Sequence, residues 1–154
     1  MTERCIDANV AIKWVLAAET DRESALALLQ DSVRSGIVLI APPLFEVEVD
    51  SIIRKRVHNG SFTAEDGARA FAHLDMIPVR IVSAPGLRKR SREIAEQFNQ
   101  RLVYDSLYAA LADIRQCEFW TADTRFHRVV KEDLPYVKHI SEYLASKNYE
   151  RLGS

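Results

Sequence analysis

Residues 37–58 of the chain read IVLIAPPLFEVEVDSIIRKRVH. The run from Ile37 to Ile40 holds only Ile, Val and Leu, which is typical of a strand that is covered on both faces. The prolines that follow, Pro42 and Pro43, are expected to open a long helix, because proline is favoured in the first turn of a helix. A buried strand that leads into a helix is the building unit of a parallel sheet.

Apolar runs and helical patterns alternate in the same way along the rest of the chain. Five runs are predicted to be strands, and they lie at Cys5–Ile6, 37–40, 78–82, 118–121 and 136–139. Strands that alternate with helices imply a parallel sheet with right-handed crossovers and helices on both faces. The predicted fold class is therefore α/β, a three-layer α/β/α sandwich with a central parallel sheet of about five strands.

The helix after residue 63 has a clear start signal. Thr63 is a favoured N-cap residue, and Asp66 stands three residues further on, at the spacing of a capping box. We predict that the buried face of this helix is formed by three small residues and one aromatic residue, namely Ala64, Ala68, Phe71 and Ala72.

Length and composition are ordinary and limit the classes of function. A chain of 154 residues, 47% of them hydrophobic, is expected to build one core, so we predict a single domain over residues 1–146 and a poorly ordered tail over residues 147–154. The net charge of −1 gives no global sign of nucleic-acid binding, so any such contact is a local patch. No run approaches the roughly 18 apolar residues of a membrane span, and the first residues lack an apolar signal segment. We expect a cytoplasmic protein without a membrane partner.

Four acidic residues draw attention because of where they stand. They lie where predicted strands meet helix starts, or inside the helix quoted above: Asp7, Glu48, Asp105 and Asp123. Taken singly, each aspartate is explained by capping of a helix N-terminus, and the glutamate by a solvated position beside an apolar stripe. Active sites of α/β proteins lie at the carboxyl ends of the strands, so the four together predict a shared site.

Convergence of the four carboxylates would favour cation binding. Unit charges about 4 Å apart repel by roughly 4 kcal/mol per pair at an effective dielectric near 20, so clustered carboxylates either protonate or recruit cations. Ligands that are all oxygen favour Mg²⁺ or Mn²⁺, and such an ion can activate water for attack on a phosphodiester. The four histidines are scattered and form no pair at zinc-ligand spacing, so zinc is not expected.

The segments around these acids resemble the motifs of a known family. CIDANVAIKW, APPLFEVEVDSIIRKRV, VYDSLYAALA and FWTADTRF are similar, in this order and spacing, to PIN-domain ribonucleases and in particular to VapC-type toxins of bacterial toxin–antitoxin pairs. The resemblance implies that the four acids bind Mg²⁺ or Mn²⁺ and cleave RNA, with polar support from Asn9 and Thr121. It also implies a homodimer and a small DNA-binding antitoxin as partner.

The chain departs from the family pattern just after the helical glutamate. These toxins commonly read Val-Ala-Asn there, whereas this chain has Val49, Asp50 and Ser51. Ser51 keeps a hydroxyl that could support the site, and Asp50 adds a charge. Glu46 lies only two residues from Glu48, and helical periodicity does not choose between them. The resemblance chooses Glu48, and whether Glu46 or Asp50 assists is left open.

Basic residues that follow the acids are candidates for contact with RNA phosphates, although a charged helix face is by default simply solvated. These candidates are Arg54, Lys55, Arg56, Arg125 and Arg128. Trp14 and Trp120 could stack on a base, but their apolar neighbours favour packing in the core.

Other classes of function stay open. A phosphatase of the haloacid-dehalogenase type would use Asp7 as a nucleophile and would need a second Asp where this chain has Asn9. A receiver-like domain would need paired acids near the first strand and a central Asp, and neither is present. A catalytically silent PIN fold that binds RNA or protein is separated from the enzyme only by a cleavage experiment.

Overall fold

The computed structural model describes residues 2–153, and within that range strands and helices alternate along the chain. The strands are β1 Glu3–Ile6, β2 Val38–Ala41, β3 Val79–Ile81, β4 Glu118–Thr121 and β5 Val137–His139. The helices are α1 Ala8–Val15, α2 Arg22–Arg34, α3 Leu44–His58, α4 Ala64–Asp75, α5 Leu87–Gln97, α6 Tyr104–Arg115, α7 Thr124–Val130 and α8 Glu142–Gly153. All five predicted strands are present, each within a few residues of its predicted position.

The five strands form one sheet in the order β3-β2-β1-β4-β5, and every neighbouring pair is parallel. In the middle strand, Cys5 pairs with Ile40 on one side and with Phe119 on the other. All three side chains are fully buried, which is what a sheet covered on both faces requires. The predicted parallel α/β architecture is confirmed.

The chain reverses its direction of travel across the sheet next to β1. From β1 it builds β2 and β3 on one side, and then returns to place β4 and β5 on the other side. The carboxyl ends of β1 and β4 therefore flank a switch point, which is where open α/β sheets bind their ligands.

Helices cover the sheet and complete the layers. Helix α6 lies against β1 and β4 and packs along α5, while α1 packs with α2, α3 and α4 and also contacts β4. The ring of Tyr108 on α6 stacks against Phe119 on β4, with 5.5 Å between the ring centroids. Trp14 and Trp120 are buried in the same core, which agrees with packing as their role.

Helix α4 begins as predicted, but its buried face was predicted wrongly. The Thr63 side chain accepts a hydrogen bond from the Asp66 N–H, and the Asp66 carboxylate accepts one from the Thr63 N–H, which forms the capping box. The helix buries Gly67 and Ala70, whereas three of the predicted residues are exposed: Ala64, Ala68 and Ala72. A Cβ at position 67 would lie only 2.7 Å from a methyl carbon of Val57, so α4 approaches α3 at a residue that has no side chain.

The end of the chain forms helix α8, which runs from Glu142 to Gly153. The domain boundary after residue 146 and the poor order of residues 147–154 stay predictions. Among residues 2–153, the structure has no helix of the length and apolar character that crossing a membrane demands.

Candidate metal centre

Three of the four acids stand at the ends or beginnings of elements beside the switch point. Asp7 directly follows β1, and its backbone N–H donates to the carbonyl oxygen of Trp120 on β4 at 3.0 Å. Asp123 is the N-cap of α7, and Asp105 lies in the first turn of α6. Glu48 lies inside α3 and is partly buried. The end of β1, helices α3 and α6, and the N-cap of α7 therefore each contribute one of the four carboxylates.

Helix capping explains Asp123 but not Asp7. One carboxylate oxygen of Asp123 accepts a hydrogen bond from the Phe126 N–H at 2.9 Å, as an N-cap residue should. The Asp7 side chain, in contrast, makes no well-formed capping hydrogen bond to α1; the Asn9 N–H only slightly lowers its pKa, and the side chain is 3% exposed. A buried carboxylate that does not cap its helix requires another explanation.

The Asp7 carboxylate interacts electrostatically with two of the other acids. Burial raises the pKa of Asp7 well above its usual value, the negative charge of Asp105 raises that pKa further, and Glu48 adds a smaller contribution. A hydrogen bond from Thr121 opposes these effects by stabilising the ionised form. Such electrostatic coupling requires that the three carboxylates lie near one another.

Asp105 links this group to Asp123. Four effects together raise the pKa of Asp105 to about 7: burial first, then the charge of Asp123, a hydrogen bond with Asp123 and the charge of Glu48. Burial also raises the pKa of Glu48, against the effect of a hydrogen bond from Tyr108. The carboxylates of Asp7, Glu48, Asp105 and Asp123 thus form one electrostatically coupled group.

Thr121 connects two of the acids directly. Its side chain is fully buried at the end of β4, and its hydroxyl donates to Asp7 Oδ2 at 2.7 Å. The same hydroxyl oxygen accepts a hydrogen bond from the backbone N–H of Asp123 at 3.0 Å. One hydroxyl therefore sets the position of the Asp7 carboxylate relative to the start of α7.

Ala122 lies between β4 and α7, and a different side chain contacts its backbone N–H and its carbonyl oxygen. The Asn9 side-chain oxygen accepts a hydrogen bond from the Ala122 N–H at 2.9 Å, and His139 Nε2 lies 3.3 Å from the Ala122 carbonyl oxygen. His139 Nδ1 lies 2.7 Å from the Ser141 hydroxyl oxygen and 3.2 Å from the Ser141 backbone nitrogen. When Nδ1 accepts from that N–H, a neutral imidazole carries its proton on Nε2. His139 Nε2 also lies 3.2 Å from the hydroxyl oxygen of Thr124. Asp123, which follows Ala122, is fixed by this arrangement.

Two residues that support the carboxylates were not identified from the sequence. The Tyr108 hydroxyl donates to Glu48 Oε1 at 2.7 Å, and Tyr108 lies three residues after Asp105, a spacing that places both on one side of α6. That spacing is a signal that sequence reasoning could have used. His139 pairs in register with Thr121 across β4 and β5, and this pairing becomes visible only in the folded sheet.

The structure separates Glu48 from its acidic neighbours on α3. Glu46 and Asp50 are exposed and line a different cavity of ≈ 260 Å³, which Asp75 and Trp14 also line. Glu48 alone of the three is hydrogen bonded by Tyr108 and coupled to the other acids. The geometry therefore supports Glu48 as the helical member of the cluster.

Ser51, which was proposed to support the carboxylates, and the basic residues of α3, which were proposed to contact RNA, are placed as follows. Ser51 is exposed on α3, where it lines a surface groove with Arg54 and Lys55, and none of the hydrogen bonds found within residues 2–153 joins it to the four carboxylates. The guanidinium of Arg56 is paired with Glu19. Their roles toward a ligand stay predictions.

A cleft of ≈ 460 Å³ contains two of the acids together with basic side chains. Asp105 and Asp123 line it, and so do Arg125 and Arg101, of which Arg101 was not identified from the sequence. Arg128 is exposed on the same helix as Arg125, although it does not line this cleft. Carboxylates and guanidinium groups thus meet in one concave surface.

The donor atoms fit a hard cation. The four side chains offer carboxylate oxygens, which favour Mg²⁺ or Mn²⁺. Within the described range, no three His, Cys, Asp or Glu side chains are already spaced to hold one ion together. Mg²⁺ commonly takes only one or two protein carboxylates and keeps several waters, so a pair such as Asp7 and Asp105 would be sufficient.

Comparison with known proteins gives the following similarities. The family model described as "PIN domain" matches residues 4–132 of the chain. No curated protein sequence matches the chain significantly. The structure resembles PAE2754 from Pyrobaculum aerophilum, with a TM-score of 0.68 at 17% identity over 94% of each chain.

Two further solved structures share the fold. VapBC2 from Rickettsia felis, bound to a DNA fragment from its promoter, gives a TM-score of 0.64 at 12% identity and covers 90% of this chain and 97% of its own. VapC20 from Mycobacterium tuberculosis, described as a sarcin-ricin loop cleaving toxin, gives a TM-score of 0.61 at 14% identity and covers 81% of this chain and 93% of its own. At these low identities the likeness establishes the fold.

Proposed function

The chain belongs to the PIN domain family, and we propose on this basis that it is a metal-dependent endoribonuclease acting as the toxin of a toxin–antitoxin pair. What supports the proposal is the electrostatic grouping of four carboxylates beside the switch point of the sheet: burial raises the pKa of Asp7, Glu48 and Asp105, and the charges of neighbouring acids raise the pKa of Asp7 and Asp105 further. Packing of a stable core does not require carboxyl groups to lie where burial and repulsion raise their pKa values. Binding of a cation and of a phosphodiester substrate would account for this grouping of carboxylates.

In the proposed mechanism, Asp7 and Asp105 would hold the ion, with Glu48 and Asp123 beside them as further carboxylates. A bound Mg²⁺ or Mn²⁺ lowers the pKa of water and neutralises charge on the phosphate. The protein supplies the positions of the ligands: the Thr121 hydroxyl orients the Asp7 carboxylate, and the Tyr108 hydroxyl orients Glu48. No covalent bond between the chain and the substrate is needed.

The structural neighbours support RNA as the substrate and an antitoxin as the partner. One neighbour is described as a toxin that cleaves the sarcin-ricin loop, and another as a complex with promoter DNA. We extend both properties to this chain: it cleaves RNA, and it is inhibited by a small DNA-binding antitoxin. The resemblance of its motifs to VapC-type toxins adds a homodimer and a cytoplasmic location to the proposal.

The proposed activity is tested by incubating the purified chain with a mixed RNA pool in Mg²⁺, in Mn²⁺ or in EDTA. New RNA fragments are expected with either ion and none in EDTA, and a pool of single-stranded DNA serves as the control for RNA preference. Cleavage that persists in EDTA would contradict the role of the metal. Intact RNA under every condition would favour a PIN fold that binds RNA or protein without cutting.

Stability without metal should depend on pH in a defined direction. The pKa of Asp105 is raised to about 7, against roughly 3.9 for an Asp in an unfolded chain. A carboxyl whose pKa is raised by folding stabilises the fold fully below its unfolded pKa, and this contribution is lost as the pH rises through its folded pKa. Asp7 and Glu48 act with the same sign. We therefore expect a lower Tm at about pH 8 than at about pH 5 when metal is absent.

Mn²⁺ should reverse this loss, because ionised carboxylates bind the ion without first releasing protons. The increase in Tm caused by Mn²⁺ is expected to be larger at about pH 8 than at about pH 5. In the Asp105→Asn variant, both the pH dependence of Tm and the Mn²⁺ effect should be smaller. Identical behaviour of the wild-type and variant proteins in a thermal melt would contradict the assignment of Asp105.

His139 should affect cleavage by holding the Ala122 carbonyl. Loss of a residue that orients a metal ligand typically costs 10-fold to 100-fold in activity, so His139→Leu is expected to slow cleavage by about that factor. His139→Gln keeps an N–H donor near the position of Nε2 and should recover most of the rate. Cleavage rates are measured at saturating RNA, and a thermal melt checks that each variant has the Tm of the wild type. Equal activity of the Leu variant and the wild type would exclude this role.

A further inference from the structure

Helix α3 exposes one side along most of its length. Its buried side chains are Phe45, Val49 and Ile53, which pack into the core. Six exposed side chains occupy another side of the helix and line a surface groove: Val47, Asp50, Ser51, Arg54, Lys55 and His58. Because their spacing follows the helical period, they form one continuous strip on the surface, which we call the α3 stripe.

Charge is unevenly distributed along the α3 stripe. The acidic residue Asp50 lies toward the N-terminal half of the helix, and the basic residues Arg54 and Lys55 lie toward its C-terminal half. The helix dipole favours this order, but its effect is confined to the first and last turns. Asp50 and Arg54 lie outside those turns of a helix that runs from Leu44 to His58, so the dipole does not account for them.

The charged groups of the α3 stripe are available to another molecule. Asp50 and Arg54 are four residues apart, a spacing at which opposite charges often pair on one helix. None of the ion pairs found among residues 2–153, however, includes Asp50, Arg54 or Lys55. Their side chains are all exposed on the wall of the same groove.

We propose that the α3 stripe is the dimer interface of this protein, where it packs antiparallel against the α3 stripe of a second copy across a twofold axis. The inference takes the homodimer of the proposed function and names its surface. In this packing Asp50 faces the partner's Lys55, and the partner's Asp50 faces Lys55. An interface on a twofold axis has to be complementary to itself, and the α3 stripe meets this requirement.

The remaining residues of the α3 stripe fit the same arrangement. Ser51 faces the partner's Arg54 near the axis, where a small side chain lets two helices approach closely. Val47, which is 64% exposed, faces the partner's His58 at each end and covers apolar surface there. A parallel arrangement would instead place like charges opposite each other, which is unfavourable.

A second copy suits the α3 stripe better than RNA does. Arg54 and Lys55 alone would attract phosphates, but the exposed carboxylate of Asp50 lines the same groove and would repel them. Asp50 also marks the point where this chain departs from the motif that it resembles, since those toxins commonly have Ala there. In the proposed dimer, Asp50 supplies the acidic half of each ion pair.

The contact can extend beyond α3. A single pair of short helices covers less than the roughly 1,200 Å² of total area that a stable interface commonly buries. Asp50 lines both the groove of the α3 stripe and the neighbouring cavity between α3 and α4, whose lining is mostly apolar. Apolar surface next to the α3 stripe is therefore available to enlarge the dimer interface.

The test exchanges charges across the proposed twofold axis. Sedimentation velocity of the full chain over a range of concentrations gives the dimer Kd for the wild type, for Asp50→Lys, for Lys55→Asp and for the variant that carries both changes. Glu132→Lys and Lys131→Asp are the matched controls, because they make the same charge changes at exposed positions outside α3. A thermal melt checks the fold of each variant, and RNA cleavage is measured on the same samples.

Each single change at position 50 or 55 should raise the dimer Kd by about tenfold or more, because both ion pairs become like-charge pairs. The double variant should return to within about threefold of the wild type, since it only reverses the direction of both pairs. An equimolar mixture of Asp50→Lys and Lys55→Asp should form a heterodimer, in which each contact again joins a cation to an anion. The two control variants should dimerise like the wild type.

Three results would overturn the inference while leaving the ribonuclease activity as a separate question. One is a wild-type dimer that neither single change weakens. Another is a loss of dimer that neither the double variant nor the mixture restores. The third is a wild-type protein that stays monomeric, and this result would also remove the homodimer from the proposed function. If Lys55→Asp leaves the dimer intact but slows RNA cleavage, Lys55 contacts RNA and the inference is wrong. A wild-type dimer that cleaves no RNA would instead contradict the proposed function and leave the interface standing.

Discussion

Replacing Asp7 or Asp105 by Asn is expected to slow RNA cleavage by at least about a hundredfold while the protein stays folded. A hundredfold corresponds to about 2.7 kcal/mol of lost transition-state stabilisation, which is less than the several kcal/mol that a metal ion can supply. Asn has nearly the shape of Asp and keeps one oxygen, so the Thr121 hydroxyl can still donate to residue 7. Removing one carboxylate also removes the repulsion that raises the pKa of its neighbours.

The measurement is single-turnover cleavage of RNA in Mn²⁺, combined with a thermal melt of each variant. Asp75→Asn is the matched control, because Asp75 is an exposed carboxylate that lines a different cavity. We expect wild-type cleavage from Asp75→Asn and wild-type or higher Tm from the metal-free Asp105→Asn variant. An Asp105→Asn protein that cleaves at the wild-type rate would remove Asp105 from the site.

The second large effect is a difference in activity between substitutions of two glutamates on helix α3. Glu48→Gln should lose most of the cleavage activity and most of the growth inhibition, because it removes a carboxylate that is coupled to Asp7 and Asp105. Glu46→Gln makes the same chemical change two residues away, on an exposed side chain outside the cluster, and should cost little. The variants are matched in charge, size and helix, so a difference between them reports position alone.

Cleavage rates and growth after induction in a bacterial host give two independent readings of this pair. The Tyr108 hydroxyl can still donate to the amide oxygen of a Gln at position 48, so we expect similar Tm values for the two variants. An inactive Glu46→Gln protein beside an active Glu48→Gln protein would show that the wrong glutamate has been assigned.

Much of the fold could be predicted from the sequence because it depends on local patterns. The buried run at Ile37–Ile40 marks a strand with helices on both sides, and repeated strand–helix units leave a parallel sheet as the simple solution. The approximate location of the acids follows from the same reasoning, since residues at strand ends and helix starts meet at one edge of such a sheet. Asp7, Asp105 and Asp123 were identified in this way.

What the sequence did not reveal depends on contacts between distant segments. His139 meets Ala122 only because β5 pairs in register with β4, and one residue of slippage would turn the imidazole to the other face. The buried face of α4 was predicted wrongly because the closest approach to α3 is made at Gly67, which a search for apolar side chains passes over. Arg56, proposed to contact RNA because it is basic and follows Glu48 on α3, pairs its guanidinium with Glu19, and this contact between distant segments is not visible in the sequence.

The position of a bound metal ion provides the most direct test. Crystals of the wild-type protein grown or soaked with Mn²⁺ are measured near the manganese absorption edge, and an anomalous difference map locates the ion without reference to any assigned role. We expect a peak within coordination distance, about 2.0–2.3 Å, of carboxylate oxygens of Asp7 or Asp105, and no such peak in Asp7→Asn crystals. A protein that cleaves RNA in Mn²⁺ but binds the ion only elsewhere, or shows the same peak after Asp7 and Asp105 are both replaced, would contradict a metal centre built on these carboxylates.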